Sequence, residues 1–166
     1  MFALKPLSQE AIPAALARAE RYRLLNESEE AASICRDVLA VDPGNQQALV
    51  SLVLALSDRL SQDRRVFNEA LELAATISGE YERVYYSGIL WERRAKARYG
   101  EGGPGAGPVT YDWMRRAMEF FDEAEKLRPA GNDEALLRWN TCARFLDGHR
   151  DVYPSPEESG ATVMLE

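Results

Sequence analysis

The chain has 166 residues, 46% apolar and 28% charged, with a net charge of −7. That size and balance suit one soluble domain with its own core, and the acidic total argues against general nucleic-acid binding, which needs a basic surface. Two cysteines, far apart, and a single histidine form no zinc motif, and no run of about 18 apolar residues marks a membrane span.

The N-terminal residues Met1–Glu10 lack a charged segment followed by a long apolar run, so no signal peptide is expected and a cytoplasmic location follows by default. A first helix is expected over about residues 12–25, with Pro13 in its first turn and Asn26 closing it. A second is expected over 29–41, capped by Ser28, acidic at its start and stopped at Asp42-Pro43-Gly44-Asn45. Asn45 should cap a third, over 46–60. Ser61 should cap a fourth, over 62–77, with Gly79 as its left-handed terminator. A long fifth helix, 80–99, carries Arg83, Arg93, Arg94, Lys96 and Arg98. The glycine- and proline-rich stretch 100–109 then reads as a mobile loop. A sixth helix should start at Thr110 or Asp112 and end before Pro129, and a seventh, capped by Asn132, should cover 133–147 and end at Gly148. Residues 149–166 read as a disordered acidic tail, leaving 1–148 as the folded domain.

Within the sixth helix Ala117, Phe121 and Ala124 fall on one face, because steps of three and four return to the same side of a helix. With Pro129 they resemble the second helix of a tetratricopeptide repeat, whose pattern ends A-x3-F-x2-A-x4-P. Tyr22, Ala31 and Pro43 occupy the matching tyrosine, alanine and proline positions of a first repeat, with Cys35 and Val38 where an aromatic and a second alanine are usual. Phe67, Ala70, Leu71 and Leu73 mark a degenerate second repeat. Gly88 and Trp91 stand where the family has its glycine and tyrosine in a third. The resemblance implies an all-α, right-handed superhelix of antiparallel helix hairpins, about three repeats plus a C-terminal capping helix.

It also implies a noncatalytic protein–protein interaction module, a scaffold or adaptor gripping a peptide or partner helix in its concave groove. Counting from the family's motif positions places Arg23, Tyr85, Ile89, Arg93, Lys96, Asn140 and Arg144 on that lining as partner-binding residues. Arginines there suit an acidic peptide or a chain-terminal carboxylate. The family's clamp for chaperone C-termini is absent, because Leu16 and Glu20 stand where lysine and asparagine are needed. Two alternatives belong to other classes: a self-associating subunit forming a homo-oligomer, and a regulator holding a small anion at the basic fifth helix. No catalytic constellation, metal site or cofactor motif is expected. Gly100, Gly102 and Gly105 spell G-x-G-x-x-G, but they follow a helix and enclose Pro104, unlike a dinucleotide loop. Cys35 and Cys142 are expected as buried reduced thiols.

Overall fold

A computed structural model describes residues 2–61 and 65–155. Among these the chain is all-α, with no strand. A 3-10 turn at Gln9–Ala11 leads into α1 (Ile12–Leu24), α2 (Ser28–Val41), α3 (Gln46–Ser57), α4 (Val66–Ala75), α5 (Glu80–Glu101), α6 (Ala106–Leu127) and α7 (Glu134–Gly148). Each helix packs on the one before it, and α1 with α3, and α3 with α5, also meet directly.

The helix ends follow local chemistry. Asn26 adopts a left-handed φ of 61° after α1, letting the Glu27 N–H reach Tyr22 O at 2.9 Å, a bond that satisfies a carbonyl of the last turn. The Asn45 side chain accepts from the Ala48 N–H at 2.9 Å and caps α3. Ser28 does not cap α2: it is itself the first helical residue, with its side chain buried and Glu27 at the cap position. Gly79 is likewise no left-handed terminator, since its φ of −72° and ψ of 128° are extended and it opens α5. After α4 the Thr76 hydroxyl donates to Leu73 O at 2.7 Å. The expected start of the fourth helix at residues 62–64 lies outside the described residues.

The loop expected over 100–109 is shorter. The α5 helix continues to Glu101 and α6 begins at Ala106, leaving a four-residue turn, 102–105, in which Gly102, Gly103 and Gly105 all have positive φ. Gly107 and Pro108 sit in the first turn of α6, where the missing proline N–H has no intrahelical partner to lose. The tail also starts as structure. His149 stacks on Phe145 at 4.1 Å between ring centroids and meets Tyr99 edge-on at 4.9 Å. Val152 is buried, its N–H bonded to His149 O at 3.0 Å. Residues 149–153 thus lie as a strap against the start of α6. The tail from residue 156 onward lies outside the described residues.

Two apolar clusters share α5. Leu52, Val53 and Leu56 of α3 join Phe67 and Ala70 of α4 and Leu90 of α5 in the first. Ile89 joins Met114, Ala117 and Phe121 of α6 and Cys142 of α7 in the second. Phe121 is fully buried, which contributes roughly 2–3 kcal/mol of apolar burial. Its ring lies against Gly88, where any side chain would collide with it. On the side of α5 facing α4 and α6, the Arg94 guanidinium lies 4.0 Å from the Phe67 ring centroid and 4.1 Å from that of Trp113, an electrostatically favourable cation–π stack on both faces.

Candidate partner-binding face

The odd-numbered helices α1, α3, α5 and α7 bring two charged clusters together. In the first, Asp58, the residue closing α3, bridges two arginines. Its Oδ2 accepts from Arg23 Nε of α1 at 2.9 Å, and its Oδ1 accepts from Arg93 Nη1 of α5. The same Arg93 nitrogen donates to Ser57 Oγ at 2.5 Å and reaches Leu54 O at 3.3 Å. A cation suits this place, because the last carbonyls of α3 carry the negative end of its dipole. Among the described residues Arg23 Nη1 and Nη2, and Arg93 Nε and Nη2, have no hydrogen-bond partner. Burial lowers the Arg93 pKa, Asp58 opposes that, and the neighbouring Arg23 and Arg138 add to the lowering. The guanidinium stays protonated, given how high its starting point is.

The second cluster centres on Glu92 of α5, a carboxylate only 1% exposed. Its Oε1 takes Lys96 Nζ at 2.5 Å, one turn along the same helix, and Arg138 Nη1 of α7 at 3.5 Å. Its Oε2 is buried without a partner. Burial works against the Arg138 charge, but Glu92 and the Tyr85 hydroxyl outweigh it, so the Arg138 pKa is raised. Each cluster therefore holds two cations around one carboxylate. Towards the first turns of α5 and α7 carboxylates enter: burial raises the pKa of Tyr81 and of Tyr86, Tyr85, Glu134 and Glu82 add to it, and Asn132 opposes it for Tyr81 and Arg23 for Tyr86.

Of the residues expected on the lining, Arg23, Arg93 and Lys96 meet in these clusters. Tyr85 is buried beside them, stacked on Tyr81 at 5.6 Å and tilted against Phe121 at 5.9 Å, with burial raising its pKa and Arg138 opposing that. Ile89 does not line the face: it is 2% exposed inside the second core cluster, because α6 packs on the side of α5 where the motif count left open groove. Asn140 is half-buried and Arg144 exposed on α7, and neither joins the two clusters. The basic run of the fifth helix is dispersed around the helix axis. Arg93 turns to α3 and Arg94 to Phe67 and Trp113, Lys96 turns to Glu92, and Arg98 donates to Gly102 O at 2.5 Å and Pro104 O at 3.1 Å.

Asp58, Ser57 and Arg138 are the members that sequence reasoning missed. Arg138 had a usable signal, since it stands four residues before the inward-facing Cys142 and so shares its side of the helix. Asp58 had none, being one acidic residue after an apolar helix. Cys35 and Cys142 are free and buried. Among the described residues no three His, Cys, Asp or Glu side chains are grouped to hold a metal, and no helix is long and apolar enough to cross a membrane. The chain matches no protein-family model, no curated protein and no solved structure.

Proposed function

We propose that this chain is a noncatalytic interaction module of tetratricopeptide type, binding an acidic peptide or partner helix across the face of α1, α3, α5 and α7. The observation that carries this is the charge count on that face. Arg23, Arg93, Lys96 and Arg138 are paired with two carboxylates, Asp58 and Glu92, in a chain whose net charge is −7, while Glu27, Glu29 and Glu30 line the depression beside Asp58 together with Arg59. A local surplus of cations against the overall sign selects an acidic ligand and steers its approach.

Support for the repeat reading, with a right-handed superhelix and a capping α7, comes from the motif positions. Ala31, Cys35 and Val38 are buried at the first repeat's positions and Ala117, Phe121 and Ala124 at the third's, while Gly88 admits the Phe121 ring. The α1–α3 and α3–α5 contacts suit stacked hairpins. A test is fluorescence anisotropy with a labelled hexaglutamate peptide at low salt. Wild-type protein should bind it, and Arg23→Glu with Arg138→Glu should abolish binding while circular dichroism stays helical. Undiminished binding by that variant would remove this reading.

A second reading, a self-associating subunit, is favoured by one separate observation. Leu24 and Leu25, at the end of α1, are 76% and 60% exposed, adjacent apolar side chains that a second copy would cover. Light scattering on wild type and on Leu24→Asp with Leu25→Asp decides it: a dimer that dissociates in the variant supports self-association, and a monomeric wild type excludes it.

A further inference from the structure

The acidic-ligand reading above leaves open which anion the face is shaped for, and the first cluster answers that. We propose that Arg23 and Arg93 form a phosphoryl-binding site whose ligand is a phosphorylated serine or threonine on an extended partner segment. This rests on the preceding reading and narrows it.

Geometry is the first argument. Asp58 uses one oxygen for each arginine, so it ties two guanidinium forks together while engaging only Nε of Arg23 and Nη1 of Arg93. Ser57 Oγ and Leu54 O hold that same Nη1, which fixes the Arg93 plane before any ligand arrives. Among the described residues, both Nη atoms of Arg23, with Nε and Nη2 of Arg93, remain as donors from two neighbouring forks. A carboxylate has two oxygens and saturates one fork. A phosphoryl group has three peripheral oxygens in a tetrahedral arrangement and can accept from both.

Charge is the second. The Arg23–Asp58–Arg93 cluster carries one surplus positive charge, and so does Lys96–Glu92–Arg138 beside it. Arg138 and Glu92 both act on Arg93, with opposite signs, which sets the second cluster within electrostatic reach of the first. A phosphoserine carries about −1.5 to −2 at neutral pH and can draw on both clusters, whereas a carboxylate is matched by one. Tyr86 of α5, half-buried, set edge-on against the buried Tyr85 and near enough to Arg23 to feel its charge, offers a partly exposed ring for the chain on which the phosphoryl group is carried. That ring favours a phosphorylated segment over free phosphate.

The experiment is calorimetric titration of the full chain with four probes: an acetyl- and amide-capped Ala-Ala-phosphoserine-Ala-Ala peptide, its serine and glutamate counterparts, and inorganic phosphate. The phosphoserine peptide should bind about tenfold tighter than the glutamate peptide, and its affinity should fall severalfold between pH 7 and pH 5 as the phosphoryl group takes up its second proton near pH 6. Arg93→Lys keeps the charge and removes the fork, so it should erase most of that preference, lowering phosphoserine-peptide affinity more than glutamate-peptide affinity. Equal affinity for the two peptides overturns this inference and leaves the acidic-ligand reading standing. Failure of both peptides at millimolar concentration overturns both. Inorganic phosphate binding as tightly as the phosphopeptide makes this a small-anion site and overturns the partner assignment. A preference that survives both Arg93→Lys and Arg23→Lys places the anion elsewhere.

Discussion

Gly88 on α5 and Phe121 on α6 approach so closely that a Cβ built on the glycine would lie 2.6 Å from Cε1 of the ring. Two effects oppose each other in Gly88→Ala. Helix propensity favours alanine by about 1 kcal/mol, whereas forcing a methyl group into a packed core costs about 1–3 kcal/mol. Phe121 is fully buried and has nowhere to retreat, so the clash wins. Urea denaturation should show Gly88→Ala less stable than wild type, and in a Phe121→Ala background the same change should become neutral or stabilising. That background alone should cost about 3–5 kcal/mol.

Gly107 meets a backbone atom instead of a ring. A side chain there would overlap Asp151 O in the strap that follows α7. Gly107→Ala should therefore leave the helical signal intact and lift residues 149–153 off α6. Hydrogen exchange reads this directly, because the Val152 amide, bonded to His149 O, should lose protection while amides of α6 keep theirs.

The two thiols make an alkaline prediction. Burial pushes the Cys35 thiol up to about 11 and the Cys142 thiol up to about 12, from an ordinary 9.0. Both are thus protonated in the folded chain at pH values where the unfolded chain has lost those protons. The unfolded state then binds fewer protons, and stability falls as pH rises from about 9 towards 11, by up to roughly 1.4 kcal/mol per pH unit for each thiol. Below about pH 8 neither contributes a slope. Urea midpoints measured from pH 8 to pH 11 should show this fall, and Cys142→Ala should remove about half of it between pH 9 and pH 10, before the tyrosines add their own.

Glu92→Gln removes a buried charge from between Lys96 and Arg138. Both cations keep 39% of their side-chain surface exposed, so they can turn towards water. The loss should therefore lie near 1–3 kcal/mol, the scale of hydrogen bonds to charged groups, and below the cost of breaking a fully enclosed pair. Thermal unfolding of the variant checks this, and a loss beyond that range would mean the cations cannot rearrange.

Helix order, the Asn45 cap, the stop before Pro129 and the buried faces around Ala31 and Phe121 were legible because each rests on a local rule: spacing, a short polar side chain, a ring without an N–H. The turn between α5 and α6 was not. Its composition spoke of loop, yet Gly107 and Pro108 serve in a helix, the one because Asp151 leaves no room for a Cβ and the other because first turns tolerate proline. Counting along helices from the motif picked out Arg23, Arg93 and Lys96, which the structure places in the two charged clusters. Ile89 was misplaced by the same count, since α6 covers that side of a helix 22 residues long. Asp58 could be recognised only once α1, α3 and α5 stood side by side.

Arg93 and Arg94 are consecutive, yet one is held by α3 and the other is wedged between rings of α4 and α6. The Cα–Cβ bonds of neighbouring residues on a helix point about 100° apart, so turning the helix carries both side chains with it. Any twist of this rod that adjusts the front guanidinium to an incoming anion must also drag the rear one across its aromatic seat. Indole emission from Trp91 and Trp113, over which Arg94 lies, would then register an event at Arg93 on the adjoining face of α5.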